Sequence, residues 1–265
     1  MKSNILTYLS PAHPWGQLIS CYETLPSTNN EARKLAAQGA AEGTVLIADH
    51  QTAGRGRLGR SFCSPAAAGI YMSVILRPYC PPAELMHLTC AVGVAVCDAV
   101  EEVLEVRPGL KWINDLVWEG KKLGGILTEL AIDPKTGFVE SAIIGIGLNC
   151  SESPGDFPPP LDEIACSLSM VTGKSVDRWH VAAGIIEKLY EMHSKLFRRA
   201  ELMDRYRRSC VTLGKEVLVI RGDVRRPGKA LSIGDDGSLL VAYEDGQTEP
   251  VNSGEVSVRG MFGYA

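Results

Sequence analysis

Paired cysteines are missing from this 265-residue chain: its eight cysteines form no C-x-x-C pair and no zinc-type spacing with the five scattered histidines. A disulfide framework is not expected at this size. Cys90, Cys97 and Cys150 lie in apolar runs and read as buried thiols of a reducing compartment. A basic excess is missing too, since 27 Lys and Arg face 31 Asp and Glu for a formal net charge of −4. That balance speaks against a dedicated nucleic-acid binder and confines any polyanion contact to a local patch. No apolar run reads as long enough to span a bilayer, and the N-terminus lacks the basic-then-apolar order of a signal peptide. The expectation is a cytoplasmic protein with no membrane partner. The 45% hydrophobic and 22% charged content are those of an ordinary globule, long enough for one large domain with a small satellite.

What the chain does have is the decapeptide Gln51-Thr52-Ala53-Gly54-Arg55-Gly56-Arg57-Leu58-Gly59-Arg60, with three glycines, three arginines and no acidic residue. Strand-like runs flank it at Thr44 to Ala48 and Gly69 to Leu76. Glycines let successive backbone N–H groups turn toward one ligand, and arginine forks bind phosphate or carboxylate oxygens through charge-assisted hydrogen bonds. Gly54-x-Gly56-x-x-Gly59 matches the dinucleotide fingerprint by letter, and Gly54 to Ser61 mimics a Walker A loop with arginine in place of lysine. Both need a helix to follow, and Ser64-Pro65 leads into another strand, so both are rejected. The alternative to an anion site is a solvated arginine loop; three arginines concentrated at one loop favour the anion.

Around this loop, Cys21-Tyr22-Glu23 enters a strand and a helix begins near Thr28, where Thr28 and Glu31 are spaced as a capping box. Helix capping is the simpler reading of Ser27 and Thr28, although a helix start can also hold a polar ligand group. Apolar residues recur at helical spacing from Glu84 to about Val106, marking a core helix. Hairpin-joined strands follow at 116–118, 121–130 and 138–147, so the class is α+β with a mixed or antiparallel sheet and packed helices. Asp115 and Lys122 stand close across a short turn. They form either a solvent-facing ion pair or a site in which Asp115 serves a magnesium ion or adenylate and Lys122 receives a carboxylate. The neighbouring Gly124-Gly125 favours the second, because paired strand glycines mark close approach of a ligand or backbone. After a proline-rich loop at 151–160, one helix is expected from Asp177 to about Tyr206. Beyond Val211, four short strands (216–220, 228–233, 239–243 and 255–259) separated by Asp236-Gly237 and Asp245-Gly246 predict a small β-barrel docked on the rest. The expected division is 1–211 and 212–265.

Five motifs in order, Pro26-Ser27-Thr28-Asn29, the decapeptide, Lys111-Trp112-Ile113-Asn114-Asp115, Lys121-Lys122-Leu123-Gly124-Gly125-Ile126-Leu127 and Gly145-Ile146-Gly147-Leu148-Asn149, resemble the successive signatures of biotin protein ligases. The resemblance runs from about Tyr22 to Arg259. It implies a class II synthetase-like catalytic domain and a C-terminal SH3-like barrel. The implied activity joins biotin and ATP as biotinyl-5′-AMP with release of pyrophosphate, then transfers biotin to a lysine of a biotin carboxyl carrier protein, with Mg2+ as cofactor. Carried over residue by residue, Ser27, Thr28, Asn29, Gln51, Gly54 and Arg55 surround biotin, with Gly56, Arg57 and Lys122 completing the pocket. Arg55, Arg57, Lys122 and Asp115 take the catalytic roles, and Asp115 the metal. The loop from Gly54 to Ser64 is expected to close over the adenylate, and Tyr71 to line the pocket. The acceptor lysine loses its proton by desolvation or to Asp115.

Ile113 stands where the family pattern has proline. About 20 residues before Tyr22 cannot hold three packed helices, so no helix-turn-helix domain and no DNA partner are expected. Sheet edges in this architecture can pair two chains as a homodimer. Two other readings stay open: a ligase for lipoate or octanoate, and an RNA-binding module, against which the acidic net charge and the loop's lack of interleaved aromatics both weigh.

Overall fold

Strands that are apolar along their whole length must be covered on both faces, and the central sheet is built that way. The computed structural model describes residues 1–252 and 256–260. Its larger sheet contains β1 (Ile19–Leu25), β2 (Val45–Gln51), β3 (Gly69–Leu76), β4 (Gly109–Lys111), β5 (Asp115–Trp118), β6 (Lys121–Ile132) and β7 (Val139–Asn149). Their spatial order is β1-β2-β3-β7-β6-β5-β4. β1 and β2 run parallel and the other neighbours antiparallel, so the sheet is mixed and the class is α+β.

Seven α-helices are described: α1 (Lys2–Tyr8), α2 (Thr28–Ala37), α3 (Leu88–Leu104), the short α4 (Leu161–Ile164) and α5 (Leu168–Thr172), α6 (Arg178–Ser194) and α7 (Arg199–Ser209). Alternation along the strands sorts the helices between two faces. Ile70, Met72, Val74, Ile144 and Ile146 join the main core with α3 and α6. Ile75 and Ile143, one residue out of phase, pack with Leu46 against Ala32 and Ala36 of α2.

With the turn before it, α3 forms a segment, Pro82–Leu104, long and apolar enough by length and composition to cross a membrane. This corrects the expectation that no apolar run reaches that length. The segment is mostly buried inside the protein, where it serves as the central helix of the core. The helix expected to run from Asp177 to Tyr206 is two helices, α6 and α7. The break between them turns Leu196 inward, and its carbonyl accepts from His87 Nε2 at 2.8 Å. That partner is 109 residues distant, so local periodicity carries no sign of it.

The second sheet is antiparallel, with β8 (Glu216–Arg221), β9 (Val224–Ile233), β10 (Leu239–Tyr243), β11 (Thr248–Val251) and β12 (Val256–Gly260) in the order β11-β10-β9-β8-β12. This is the SH3-like unit. Gly237 and Gly246 take the positive φ expected of the two Asp-Gly turns. β11 was not among the four expected strands; it lies at the sheet edge, where the missing N–H of Pro250 is tolerated. The unit docks as expected: Trp112 Nε1 donates to the Gly237 carbonyl (2.9 Å) and Arg207 Nε to that of Ile233 (2.7 Å). Glu255, at the expected start of the last strand, and 261–265, at the end of the expected unit, lie outside the described residues.

Candidate active site

The face of the sheet that meets α2 is apolar only as far as α2 reaches. Beyond Ile143, β7 presents Gly145 and Gly147, paired with Leu127 and Gly125 of β6. A cavity of ≈ 790 Å³ opens over this glycine floor, a volume suited to a small-molecule ligand. Side chains from elsewhere occupy the room the glycines leave. A Cβ on Gly145 would stand 2.1 Å from Asn29 Oδ1, and one on Gly147 would stand 2.7 Å from the Phe62 ring.

One wall is the start of α2. Ser27 is the extended N-cap residue and its side chain makes no cap hydrogen bond. The expected Thr28–Glu31 capping box does not form, because Thr28 is already helical and its hydroxyl is engaged elsewhere. It donates to Gln51 Oε1 (3.2 Å) and lies 2.8 Å from the Ser73 hydroxyl. Gln51 Oε1 also accepts the Thr28 N–H at 2.8 Å, so a side chain from β2 does the capping. Asn29 donates to the Leu127 carbonyl (3.2 Å) and Glu129 Oε2 (2.9 Å), while its Oδ1 accepts from Ser73 (2.7 Å). Ser27, Thr28, Asn29 and Ser73 are all buried. Mutual hydrogen bonding of this kind is what makes buried polar groups tolerable, and it orients Thr28 and Asn29 toward the cavity in advance.

The glycine-arginine stretch folds as a hairpin over another side. Gly56 N–H donates to the Arg60 carbonyl (2.7 Å) and Phe62 N–H to that of Gly54 (2.9 Å). Between β2 and β3 the described helical structure is one 3-10 turn at Arg57–Gly59, in keeping with rejection of the dinucleotide and Walker readings. Arg57 donates to Asn114 Oδ1 (3.2 Å), and Asn114 in turn donates to the Ile126 carbonyl (3.1 Å). Burial pulls the Arg57 pKa below the ordinary guanidinium value, with Asp115 opposing the shift. Arg55 also reaches the cavity wall, but its guanidinium is held by Asn30 Oδ1 (2.9 Å) and by both carboxylate oxygens of Glu129 (3.1 and 3.0 Å).

Across the cavity, the Lys122 ammonium donates to Asp115 Oδ1 at 2.7 Å. The pair is not simply facing solvent: both residues line the cavity, their side chains only 27% and 16% exposed. Gly125 lies 3.4 Å from each at its would-be Cβ, and Gly124 meets the Gly147 carbonyl, so both glycines serve close approach. Arg55, Arg57, Arg60, Lys111 and Lys122 line the cavity against one carboxylate among the described residues, Asp115. That imbalance fits an anionic ligand. The described residues include no cluster of three or more His, Cys, Asp or Glu that could hold a metal unaided. A magnesium ion takes most of its ligands from waters and substrate phosphates, so Asp115 suits one that arrives on a nucleotide.

Of the residues expected to bind ligand, Ser27, Thr28, Asn29, Gln51, Arg55, Gly56, Arg57, Asp115 and Lys122 come together on this cavity. Gly54 does not. It lies behind the wall, where a Cβ would stand 2.4 Å from the Phe62 carbonyl, so its service is to let the hairpin limbs close. Tyr71 is also off the wall; its hydroxyl donates to the Pro65 carbonyl (3.0 Å), its ring sits edge-on to Phe62, and burial pushes its phenol far above the usual value. The Trp112–Ile113 peptide, at the position where the family pattern has proline, is cis. Phe62, Asn114, Ser73 and Glu129 went unassigned in the sequence. Phe62 and Asn114 lie in or beside the motifs and could have been found there. Ser73 and Glu129 sit in strands that read as ordinary core and carry no local signal. The wall is completed from outside the central sheet by Pro160, Ile164 and, from β12, Val258.

Comparison with known proteins bears on the same residues. The model of the Biotin/lipoate A/B protein ligase family matches residues 21–149, and that of the biotin protein ligase C terminal domain matches residues 212–259. The chain is 37% identical over 237 residues to the bifunctional ligase/repressor BirA of Bacillus subtilis, covering 87% of this chain and 71% of that one. It is 38% identical over 250 residues to the biotin–[acetyl-CoA-carboxylase] ligase of Mycobacterium tuberculosis, covering 91% and 89%. Among solved structures, the biotin protein ligase of Aquifex aeolicus in complex with biotin and ATP is similar with a TM-score of 0.77 at 31% identity, over 91% of this chain and 98% of that one. The Leishmania major enzyme in complex with biotinyl-5-AMP is similar with a TM-score of 0.62 at 27% identity, over 89% and 98%.

Proposed function

The chain belongs to the biotin protein ligase family and is a biotin–[biotin carboxyl-carrier protein] ligase; from that premise we propose that both steps of its reaction run in the glycine-floored cavity. In the first, a biotin carboxylate oxygen attacks the α-phosphorus of ATP, a P–O bond forms, and pyrophosphate leaves with the electron pair of the broken bond. In the second, a lysine amine of the carrier protein attacks the acyl carbon, loses a proton, and AMP leaves. The observation that carries this reading is the convergence of Arg57 and Lys122 on one cavity lined by the glycines Gly125, Gly145 and Gly147.

The first step brings two anions together, so its barrier is mainly electrostatic. Arg57 and Lys122 supply fixed cations, and neither needs to reorganise far: one is held by Asn114 and the other by Asp115. Magnesium carried by the nucleotide would neutralise phosphate oxygens, and Asp115 would be its carboxylate ligand from the wall. The helix start at Ser27 and Thr28, with Gln51 and Asn29, is proposed to hold the polar ring of biotin, and the space bounded by Asn29 and Phe62, which rest on Gly145 and Gly147, to accommodate the ring body. The residues given these roles precede β8, and β12 contributes Val258 to the wall. Closure of the hairpin over the adenylate keeps the mixed anhydride from water.

Pyrophosphate exchange into ATP, driven by added acid, tests the first step. Biotin is expected to drive it, and Lys122→Ala and Arg57→Ala each to lower it by about 10²- to 10³-fold, the usual cost of removing one preorganised transition-state contact. Exchange driven by lipoate or octanoate and not by biotin would overturn the assignment of substrate. Exchange driven by none of them in folded protein would overturn the adenylation chemistry.

A further inference from the structure

The three arginines of the hairpin are not equivalent, and the difference lies in what holds the first of them. Arg55 meets Glu129 through two nitrogens and two oxygens: NH1 donates to Oε2 at 3.1 Å and NH2 lies 3.0 Å from Oε1. Asn30 Oδ1 takes a further bond from NH1 at 2.9 Å. Two-point pairing of a planar guanidinium with a carboxylate is the most strongly directional ion pair available to a protein. Glu129 is itself fixed, because Oε2 accepts from the buried Asn29 amide at 2.9 Å and Oε1 lies 3.3 Å from Arg33 NH2. The carboxylate therefore joins β6, the first turn of α2 and the hairpin at one point.

That point controls the covering loop. Arg55 pairs across the hairpin with Ser61 in an isolated antiparallel bridge, and the hydrogen bonds Gly56 to Arg60 and Phe62 to Gly54 lie to either side of it. Holding Arg55 thus holds both limbs, including Phe62, whose ring rests on Gly147 of the cavity floor. Arg57, two residues on, turns instead to Asn114. We propose that Glu129 is a positioning residue of this enzyme: it takes Arg55 away from the ligand and makes it the anchor that seats the hairpin over the cavity, leaving the ligand-facing charge to Arg57. The inference rests on the functional reading only for what the hairpin covers. It also revises the expected role of Arg55 from substrate clamp to anchor.

Hydrogen exchange on the ligand-free protein tests the anchor without reference to chemistry. Glu129→Gln keeps the size and an acceptor but removes the charge, and is expected to speed exchange of the Gly56 and Phe62 amides by about tenfold, the ratio that corresponds to 1.4 kcal/mol. Arg33→Ala, which removes the outer partner of Glu129 without touching the hairpin, is expected to leave those amides alone. The charge-exchanged pair Arg55→Glu with Glu129→Arg is expected to recover slow exchange. In single-turnover assays the Gln variant is expected to release or hydrolyse the adenylate about tenfold sooner, with the KM for the carrier unmoved. Unchanged exchange in Glu129→Gln, or equal loosening by Arg33→Ala, would overturn the proposal. A wild-type protein that forms no adenylate would sink the functional reading and still leave the exchange result to decide the anchor.

Discussion

On the face of the central sheet that meets α3 and α6, Ile70, Met72, Val74, Ile144 and Ile146 fill the space between layers with apolar side chains. On the opposite face the same strands carry Ile75 and Ile143 beneath α2, and then β7 changes to Gly145 and Gly147 beneath the cavity. Alternation in one strand therefore builds a closed surface and an open one from neighbouring residues. The closed face buries area and contributes stability. The open face gives up that area for glycines on which Asn29 and Phe62 rest, and its buried polar groups, Thr28, Asn29 and Ser73, are tolerable because they satisfy one another.

The comparison can be broken most directly on the closed side. Ile144→Ala is expected to lower stability in denaturant unfolding by about 2–5 kcal/mol, through lost transfer energy and the cavity left behind, with the KM for biotin unchanged. A raised KM at undiminished stability would mean that the two faces are not separable. Next in size is Gly145→Ala. The new methyl meets Asn29 Oδ1 at 2.1 Å, so stability is expected to fall by about 1–3 kcal/mol from overpacking and the KM for biotin to rise as Asn29 is displaced. Should isothermal titration show unaltered biotin affinity, Asn29 is not part of the binding wall.

The smallest effect concerns pH. His87 lies fully buried at the start of α3, and burial lowers its pKa below 6.5. The unfolded chain takes up the proton first. Stability is therefore fully present above about 6.5 and declines as pH falls from there toward the lowered folded value, by at most about 1.4 kcal/mol per pH unit. Urea unfolding at neutral and mildly acidic pH should show this slope, and His87→Gln should flatten it by the share His87 contributes. Equal slopes in the two proteins would assign the acid sensitivity elsewhere.

Much of this could be read in the chain before folding. The strand runs, the α3 periodicity, the Asp-Gly turns of the second sheet and the glycine-arginine stretch are local signals, set by a residue's own backbone preferences and by spacing along one element. The site residues were legible to the extent that they stood inside the motifs: Ser27, Thr28, Gln51, Arg57, Asp115 and Lys122 all reach the cavity. What was not legible depends on partners far along the chain. Glu129 and Ser73 matter because β6 and β3 bring them to α2, and the Arg55–Glu129 pair spans 74 residues. The break between α6 and α7 coincides with His87, and β11 survives its proline through its place at an edge.

The sequence by itself determined most of the longer helices and strands, that a cationic glycine-rich loop lies between two of them, and that a small barrel follows, because backbone freedom and hydrophobic period act over a few residues. Only the tertiary structure decided which arginine pairs with Glu129 and which with Asn114, that Gly54 stands off the cavity wall where the hairpin limbs approach, and that β12 adds to the wall. A guanidinium serves whichever carboxylate lies within hydrogen-bonding distance, and that distance exists only once the layers have packed.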